Sequence, residues 1–300
     1  MKHPITVHDR VLGSLFGGAI GDAWGSAFEG SLALTKSSRP WKLTDDTQLT
    51  IATCEAVLQA GGVEPSLIAA RFLAWFSERR LTGLGSSTLK ALNDLSFGNH
   101  WALSGARGER AAGNGAAMRI APLAFILKGD DIKTRTLIRD VSRITHHNDE
   151  AYIGALAVFI AIQGAFEGNG LDLLKLAGRL PDSRVCDGIY TLSTETDRTI
   201  QEVVARHGAS GFVAESVPLA LLAAKKSTEL GFENTLAQVI MAGGDTDTIA
   251  SITGQIIGAE IGFPALPERL IKLVPQIQGI EVFAAFAYWA ELHLRSQSDV

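Results

Sequence analysis

The chain has 300 residues, of which 46% are hydrophobic and 20% are charged, and its net charge is −5. This composition supports a large hydrophobic core and offers no basic surface for a polyanion. We therefore expect no direct nucleic-acid binding, and an anionic ligand would need metal ions or helix N-termini to hold it.

Cysteine usage and hydropathy limit the class of protein further. Cys54 and Cys186 are too few and too isolated for a disulfide framework or a thiolate metal site. The N-terminal MKHPITVHDR contains no apolar signal segment, and the longest uncharged run, 151–166, is shorter than the roughly 18 residues of a membrane span. We expect a cytoplasmic monomer without a membrane segment.

Apolar residues recur at three- and four-residue steps along most of the chain, which is the spacing of a helix with one buried face. The clearest segments are 66–80, 132–145, 217–231 and 282–296. Breaks containing glycine or proline separate the predicted helices, and alternating β-branched strands are nearly absent. The sequence predicts an all-α fold, a compact orthogonal bundle of many helices that forms a single domain over residues 1–300.

Two predicted helices carry glycine at every fourth position. The first series is Gly13, Gly17, Gly21 and Gly25, and the second is Gly254, Gly258 and Gly262. Each glycine costs a helix roughly 0.5–1 kcal/mol relative to alanine, so a compensating reason is needed. Either the glycines let two backbones approach closely, or each series accommodates a bulky neighbour. We predict that both helices lie at the centre of the bundle and that at least one series meets another helix at short range.

The segment KLTDDTQLT places Thr44, Asp45 and Asp46 before an apolar helix. Capping explains one acid, because Asp45 and Gln48 have capping-box spacing and an acid stabilises a helix N-terminus. It does not explain the second aspartate or the neighbouring hydroxyls. Carboxylate and hydroxyl oxygens are hard ligands that suit Mg²⁺, Mn²⁺ or Ca²⁺.

The same pattern returns in GGDTDTIA, with Asp245, Asp247 and Thr248 at the start of another apolar helix. If the two helix starts face each other, four carboxylates converge. Such a cluster would repel itself unless cations lay within it, and two ions are the natural solution.

Two other segments carry weaker signals. Gly113 and Gly115 flank Asn114 before a predicted helix, where backbone N–H groups can meet an anion, although this sequence also forms simple turns. His146 lies where one predicted helix ends and the next begins, so it is either a C-terminal cap or a ligand contact.

Five segments, in this order, resemble the ADP-ribosylglycohydrolase family, which includes the dinitrogenase-reductase-activating glycohydrolase and the ADP-ribosylserine hydrolases. They are GSLFGGAIGDAWGSAFEG, TDDTQ, GNGAAMR, RITH and GGDTDTIA, and they span nearly the whole chain. The resemblance implies an all-α fold with a binuclear Mg²⁺ or Mn²⁺ centre. It also implies cleavage of the bond between the anomeric carbon of ADP-ribose and an acceptor. The expected partner is an ADP-ribosylated protein or a small ADP-ribose conjugate.

The resemblance also implies roles for individual residues. The expected metal ligands are Thr44, Asp45, Asp46, Asp245, Asp247 and Thr248. The expected catalytic residues are Asp45, Asp247 as an essential metal ligand, and Glu29, which matches a glutamate that contacts one metal and gates the site. Asp45 would act as general base or stabilise the oxocarbenium ion, and Glu29 could protonate a poor leaving group such as a serine oxygen, which a guanidine needs less. Asp45 is also expected to contact substrate. The remaining expected substrate contacts are Gly113, Asn114, Gly115 and His146, of which Asn114 and His146 should govern affinity more than chemistry.

The residues leave alternatives open both for the acceptor and for the reaction. Ala111 and Ala112 stand where the serine-specific branch has a stacking aromatic, so an arginine-linked substrate is at least as plausible as a serine-linked one, and Phe212 could supply a replacement face. A catalytically inactive ADP-ribose-binding module and a two-metal phosphohydrolase acting on the pyrophosphate also fit the residues. Product analysis would distinguish the glycohydrolase, the inactive binding module and the phosphohydrolase.

Overall fold

The computed structural model describes residues 4–30 and 39–296. Within them nearly all of the regular secondary structure is helical, so the all-α prediction is confirmed. The helices are α1 (Val7–Ser26), α2 (Asp45–Ala60), α3 (Pro65–Ser77), α4 (Ser86–Ser96), α5 (Trp101–Ser104), α6 (Ala121–Ala124), α7 (Ile132–Arg143), α8 (Asp149–Glu167), α9 (Leu173–Ala177), α10 (Arg184–Ser193), α11 (Ile200–His207), α12 (Val213–Leu230), α13 (Phe232–Ala242), α14 (Thr246–Ile261), α15 (Glu268–Ile271) and α16 (Val282–Ser296).

The remaining regular structure consists of short segments. Three 3₁₀ turns span Glu109–Ala111, Asn114–Ala116 and Phe263–Ala265. Two strands of two residues each, β1 (Ala106–Arg107) and β2 (His146–His147), pair in parallel. The four segments with the clearest helical spacing form α3, α7, α12 and α16, and the predicted glycine and proline breaks fall between helices.

Helices α1 and α14 pack side by side and antiparallel at the centre of the bundle, and their glycines face each other. A Cβ added to Gly258 would collide with the carbonyl of Gly13, and one added to Gly254 would collide with that of Gly17. Both helices are buried over most of their length. The prediction of a short-range glycine contact is confirmed, and each series turns out to be the partner of the other.

One detail of the glycine prediction is wrong. Helix α14 ends at Ile261, so Gly262 is its C-cap rather than part of the helical ridge. Gly262 has a φ of 75°, a left-handed conformation that glycine adopts at helix ends without the steric cost other residues incur. The ridge on α14 is therefore Gly254 and Gly258, and Gly262 turns the chain away from α1.

Helix α8 packs against α7, α12 and α14 in the core. Among the described residues it is the one helix with the length and hydropathy of a membrane span, and 72% of that stretch is buried inside the protein. A core helix of a large bundle has the same composition, because all of its faces contact other helices.

The antiparallel contact of α1 with α14 determines where the polar residues lie. The C-terminal end of α1 packs against the start of α14, since a Cβ on Gly25 would collide with Thr246 and Asp247. The Thr246 hydroxyl donates to the Gly25 carbonyl at 2.9 Å. The start of α2 joins them through Asp22 of α1, which accepts hydrogen bonds from Thr44 and Thr47. Three helix ends therefore meet at one place.

Candidate active site

A cavity of about 780 Å³ opens where these helix ends meet. It brings together nearly every residue that the sequence singled out. The lining includes Glu29, Asp45, Asp46, Gly113, Asn114, Gly115, His146, Phe212, Asp245, Asp247 and Thr248. Thr44 does not line the cavity; its buried hydroxyl donates to Asp22 Oδ1 at 2.8 Å and approaches Asp46 Oδ2 at 3.3 Å. The predicted convergence of the two acidic helix starts is therefore present.

The carboxylates form a buried cluster at one end of the cavity. Asp22, Asp46 and Asp247 each place an oxygen within 4.8 Å of the others. The Thr248 hydroxyl donates to Asp46 Oδ2 at 3.1 Å. Burial, followed by the hydrogen bond and charge of Asp245, raises the pKa of Asp247 to about 9. So many acids cannot all ionise in this space without a compensating charge.

Burial also has the largest effect on the pKa values of the two aspartates at the start of α2. It raises the pKa of Asp45 and of Asp46 well above the usual range, and the charge of Asp22 is the second cause for both. The described residues that line the cavity include a single arginine, Arg110, and no lysine. The protein therefore supplies little cationic charge of its own beside the carboxylates.

Helix capping does not account for these acids. The expected capping box of Asp45 and Gln48 is wrong, because Thr44 is the N-cap of α2 and its hydroxyl accepts from the Asp46 amide at 3.4 Å. The Gln48 side chain instead donates to the Leu43 carbonyl and the Thr82 hydroxyl. Asp245 is the N-cap of α14 but makes no capping bond with its side chain. The carboxylates remain available for another role.

Sequence reasoning missed Asp22, which lies inside α1. Its carboxylate accepts five hydrogen bonds, from the amides and hydroxyls of Thr44 and Thr47. Burial raises its pKa to about 6 even though these bonds favour the charged form. Since its lone pairs are already occupied, we interpret Asp22 as the anchor that holds the first turn of α2 against α1. The available signal was its position as the only charged residue between Arg10 and Glu29.

The cluster fits a divalent cation. Asp46 Oδ1 is fully buried and has no hydrogen-bond partner among the described residues. A buried carboxylate oxygen without a partner is costly unless a cation or a proton occupies it. The surrounding oxygens of Asp45, Asp245, Asp247 and Thr248 are hard donors of the kind that Mg²⁺ and Mn²⁺ prefer.

The other end of the cavity is built from loops. Where the sequence predicts a helix directly after the glycines, the 3₁₀ turn Asn114–Ala116 is followed by further turns and by the four-residue α6, so the anion-binding helix dipole expected there is absent. Asn114 instead links the two ends of the cavity, because its side-chain amide donates to Asp245 Oδ2 at 2.7 Å and to Ser216 Oγ at 3.2 Å. Its backbone amide donates to the Gly211 carbonyl.

An α-helix N-terminus does face the cavity, but the sequence reasoning missed it. Helix α4 begins at Ser86, and its N-cap Gly85 offers no side-chain capping bond. Ser86, Ser87 and Thr88 line the cavity, so the first turn of α4 is directed at the ligand space. The sequence LTGLGSST contained the signal, since two glycines followed by small hydroxyl residues before a helix resemble other anion-binding loops.

His146 is a buried wall residue and does not cap a helix. Helix α7 ends at Arg143 with Ile144 as its C-cap, and His146 belongs to β2. Burial, followed by the charge of Arg119, lowers the pKa of His146 to about 3, so the ring is neutral near pH 7. The ring packs beneath the glycine loop: a Cβ on Gly115 would lie 2.7 Å from its Cε1, and one on Gly113 would lie 3.0 Å from its Nε2.

The positions that bear on the acceptor are also defined. Ala111 and Ala112 are buried. Phe212 pairs with Gly113 in an isolated antiparallel bridge and lines the cavity, which places an aromatic face next to the glycine loop. Glu29 and Glu109 line the cavity as well, so further carboxylates lie around the ligand space.

The chain is similar in sequence and in fold to known proteins of one family. A sequence model of the ADP-ribosylglycohydrolase family matches residues 3–298. The chain is 27% identical to ADP-ribosylhydrolase ARH3 of Danio rerio, over 88% of this chain and 86% of that protein. It is 25% identical to ADP-ribosylarginine hydrolase Tri1 of Pseudomonas putida (strain GB-1), over 92% and 77% of the two chains. A solved ADP-ribosylglycohydrolase-related protein complex superposes with a TM-score of 0.66 at 25% identity, covering 96% of this chain and 98% of the other.

The chain therefore belongs to the ADP-ribosylglycohydrolase family. The fold and the family together define a helical hydrolase that acts on ADP-ribose linkages in proteins or small conjugates. The family is metal-dependent, and the buried aspartate cluster is a suitable place for the metal.

Proposed function

We propose that the protein hydrolyses the glycosidic bond between ADP-ribose and an arginine side chain with the help of two divalent cations, Mg²⁺ or Mn²⁺. The observation that supports this most directly is the two-ended cavity. Its acidic end suits cations and a ribose, and its loop end offers backbone donors to a pyrophosphate. The side chain of Asn114 connects the two ends by its bond to Asp245.

The cations would be held by Thr44, Asp45, Asp46, Asp245, Asp247 and Thr248. When bound, they would supply the positive charge that neutralises the cluster and orients the ribose hydroxyls. Asp22 keeps Thr44 and the two α2 aspartates in place through its bonds to Thr44 and Thr47.

Protein side chains would carry the proton transfers. Cleavage develops positive charge at the anomeric carbon, and a nearby carboxylate stabilises that charge. We assign to Asp45 the removal of a proton from the attacking water, because its carboxylate lines the cavity and because bound cations would offset the burial and negative charge that raise its pKa. Glu29 would donate a proton to the departing acceptor.

The loop end would hold the nucleotide. The amides of Gly113, of Gly115 and of the first turn of α4 border the cavity and suit phosphate oxygens, whereas the Asn114 amide already donates to the Gly211 carbonyl. This arrangement explains how a protein of net charge −5 could hold a pyrophosphate with few basic side chains. Phe212 would offer its ring to the ligand beside Gly113.

Electrostatics favour a cationic acceptor. A guanidinium would be attracted by Glu109, which lines the cavity outside the aspartate cluster. The relative from Pseudomonas putida is named an ADP-ribosylarginine hydrolase. The alanines at 111 and 112 offer no aromatic face, which is consistent with an acceptor selected by charge.

The test is to incubate the protein with arginine-, serine- and acetyl-linked ADP-ribose, each with and without Mg²⁺, and to identify the products. Free ADP-ribose, formed fastest from the arginine conjugate and only with metal, would support the proposal. AMP with ribose phosphate would indicate a phosphohydrolase, and binding without turnover would indicate an inactive module. A matched control is Asp182→Asn, since Asp182 is exposed and does not line the cavity.

A further inference from the structure

Arg119 is a charged side chain enclosed in the core just behind the cavity. It is fully buried, and its guanidinium carbon lies 4.7 Å from the centre of the Phe72 ring. One nitrogen, Nη2, donates to the Thr145 hydroxyl at 2.7 Å and reaches the Val141 carbonyl at 3.4 Å. Burying an arginine is unfavourable, so a bundle of this size would not keep one there without a structural or functional need.

The Thr145 hydroxyl determines the hydrogen-bond role of the next residue. Its oxygen accepts from Arg119 and lies 2.8 Å from Nδ1 of His146. A hydroxyl has one hydrogen to donate, and a buried hydrogen without an acceptor costs about 1–3 kcal/mol. Among the described residues Thr145 has no other acceptor, so its hydrogen points at Nδ1. Nδ1 is then an acceptor, and the ring proton lies on Nε2.

The Nε2–H group faces the ligand space. His146 lines the cavity, and its Nε2 makes no hydrogen bond to another residue within 4–30 or 39–296. It lies beside Gly113, where a Cβ would approach it to 3.0 Å. A neutral imidazole held in this way offers the cavity one directed donor without adding charge.

We propose that Arg119 and Thr145 are positioning residues, which hold His146 as the tautomer protonated on Nε2 and direct that N–H toward an oxygen of the bound ligand. The inference rests on the proposed function for the identity of the ligand, ADP-ribose. The tautomer itself is a property of the ligand-free protein. Thr145 acts through His146, and Arg119 acts both through its hydrogen bond to Thr145 and through its charge beside the ring.

The first test is nuclear magnetic resonance of the ligand-free protein labelled with ¹⁵N-histidine, between pH 6 and 8. The His146 ring should show Nδ1 as an unprotonated nitrogen and Nε2 as a protonated one throughout this range. A proton on Nδ1, or on both nitrogens, would overturn the inference. This measurement does not depend on whether the protein binds ADP-ribose.

The second test measures ADP-ribose affinity by calorimetry in Mg²⁺ buffer. Thr145→Val has nearly the same shape but no hydroxyl, and should weaken binding about tenfold, the loss expected for one misdirected hydrogen bond. Thr145→Ser keeps the hydroxyl and should bind within about twofold of wild type. Arg119→Met should weaken binding in the same direction as Thr145→Val.

A double-mutant cycle separates positioning from general destabilisation. In a His146→Ala background, Thr145→Val and Arg119→Met should have little further effect, because the group they position is gone. An equal loss in both backgrounds, or wild-type affinity for Thr145→Val, would overturn the inference. Failure of the wild-type protein to bind ADP-ribose would instead contradict the proposed function, and the tautomer measurement would still decide the inference.

Discussion

The two ends of the cavity are held in different ways. The acidic end is attached to α1 and α14, whose backbones touch through Gly13, Gly17, Gly254 and Gly258. The loop end is held by side chains, through the chain of hydrogen bonds from Arg119 to Thr145 to His146 and through the amide of Asn114.

This difference has a physical reason. Carboxylates that share cations repel one another, so their spacing must be held rigidly. A contact between two helix backbones is rigid because no side-chain bond can rotate to relieve it. A nucleotide is larger and more flexible, and loop amides supported by packed side chains can hold it. The acidic end should therefore be sensitive to any change in volume, and the loop end to the loss of individual hydrogen bonds.

The largest effect is expected from removing an acid. Asp45→Ala and Asp247→Ala should each lower kcat/KM by at least about 10³-fold, or about 4 kcal/mol. Burial and neighbouring acids raise the pKa of both groups, so each substitution should also raise the melting temperature of the metal-free protein. Activity assays and thermal melts check the two effects together.

The matched control for these variants is Asp182→Asn, which should change neither kcat/KM nor the melting temperature. Removal of metal with EDTA should abolish activity in the wild type, and Mg²⁺ should restore it. Undiminished turnover in EDTA would contradict a role for the acidic cluster in holding metal.

The second largest effect concerns the glycine contact. Gly258→Ala should lower the free energy of unfolding by about 3 kcal/mol, because the new Cβ would collide with the Gly13 backbone and neither helix can give way. Metal affinity should fall as well, since α14 carries Asp247. Denaturant unfolding and metal titration measure the two losses.

Gly62→Ala is the matched control, because a Cβ at Gly62 meets nothing within 4 Å. It should leave both stability and metal affinity within experimental error. A Gly258→Ala protein as stable as Gly62→Ala would show that the close approach of the two helices is not needed.

Much of this architecture could be predicted from local sequence patterns. Helical spacing identified α3, α7, α12 and α16, and the four-residue glycine period predicted a close backbone contact. The repeated pattern of threonine and paired aspartates predicted that the starts of α2 and α14 converge. Predictions from these patterns are correct because each pattern depends on the period of one helix or on the chemistry of one short segment.

The residues that were missed depend on contacts distant in sequence. Asp22 and Arg119 have no local partner that reveals their role; one is defined by Thr44 and Thr47, the other by Thr145 and Phe72. The glycine pattern alone did not show which helix each series meets. The helix predicted directly after Gly115 is replaced by turns and the short α6, and the preceding 3₁₀ turn at 114–116 is held by long-range bonds from the Asn114 side chain and amide to Asp245 and Gly211.

A smaller effect should distinguish two residues of the loop end. His146→Ala should raise KM about tenfold with little change in kcat, because His146 touches the glycine loop and none of the acids. Asn114→Ala should lower kcat as well, since its amide donates to Asp245. Steady-state kinetics on one substrate check both. Identical patterns for the two variants would contradict the separation of the cavity into two ends.

The smallest effect is a dependence of metal stabilisation on pH. Without a cation, burial together with Asp245 raises the pKa of Asp247 to about 9, and burial raises the pKa of Asp45 and of Asp46 well above the usual range. A carboxyl whose pKa is higher in the folded state favours folding when protonated, and this stabilisation is lost as pH rises through the folded pKa.

Bound cations replace those protons, so Mg²⁺ should stabilise the fold more at high pH than at low pH. The rise in melting temperature on adding saturating Mg²⁺ should be about 3 °C larger at pH 8 than at pH 5, the equivalent of a roughly tenfold change in metal affinity. Asp247→Asn, which cannot ionise, should show a smaller difference between the two pH values. A Mg²⁺-induced shift that is equal at both pH values in the wild type would mean that protons and metal do not compete for the same carboxylates.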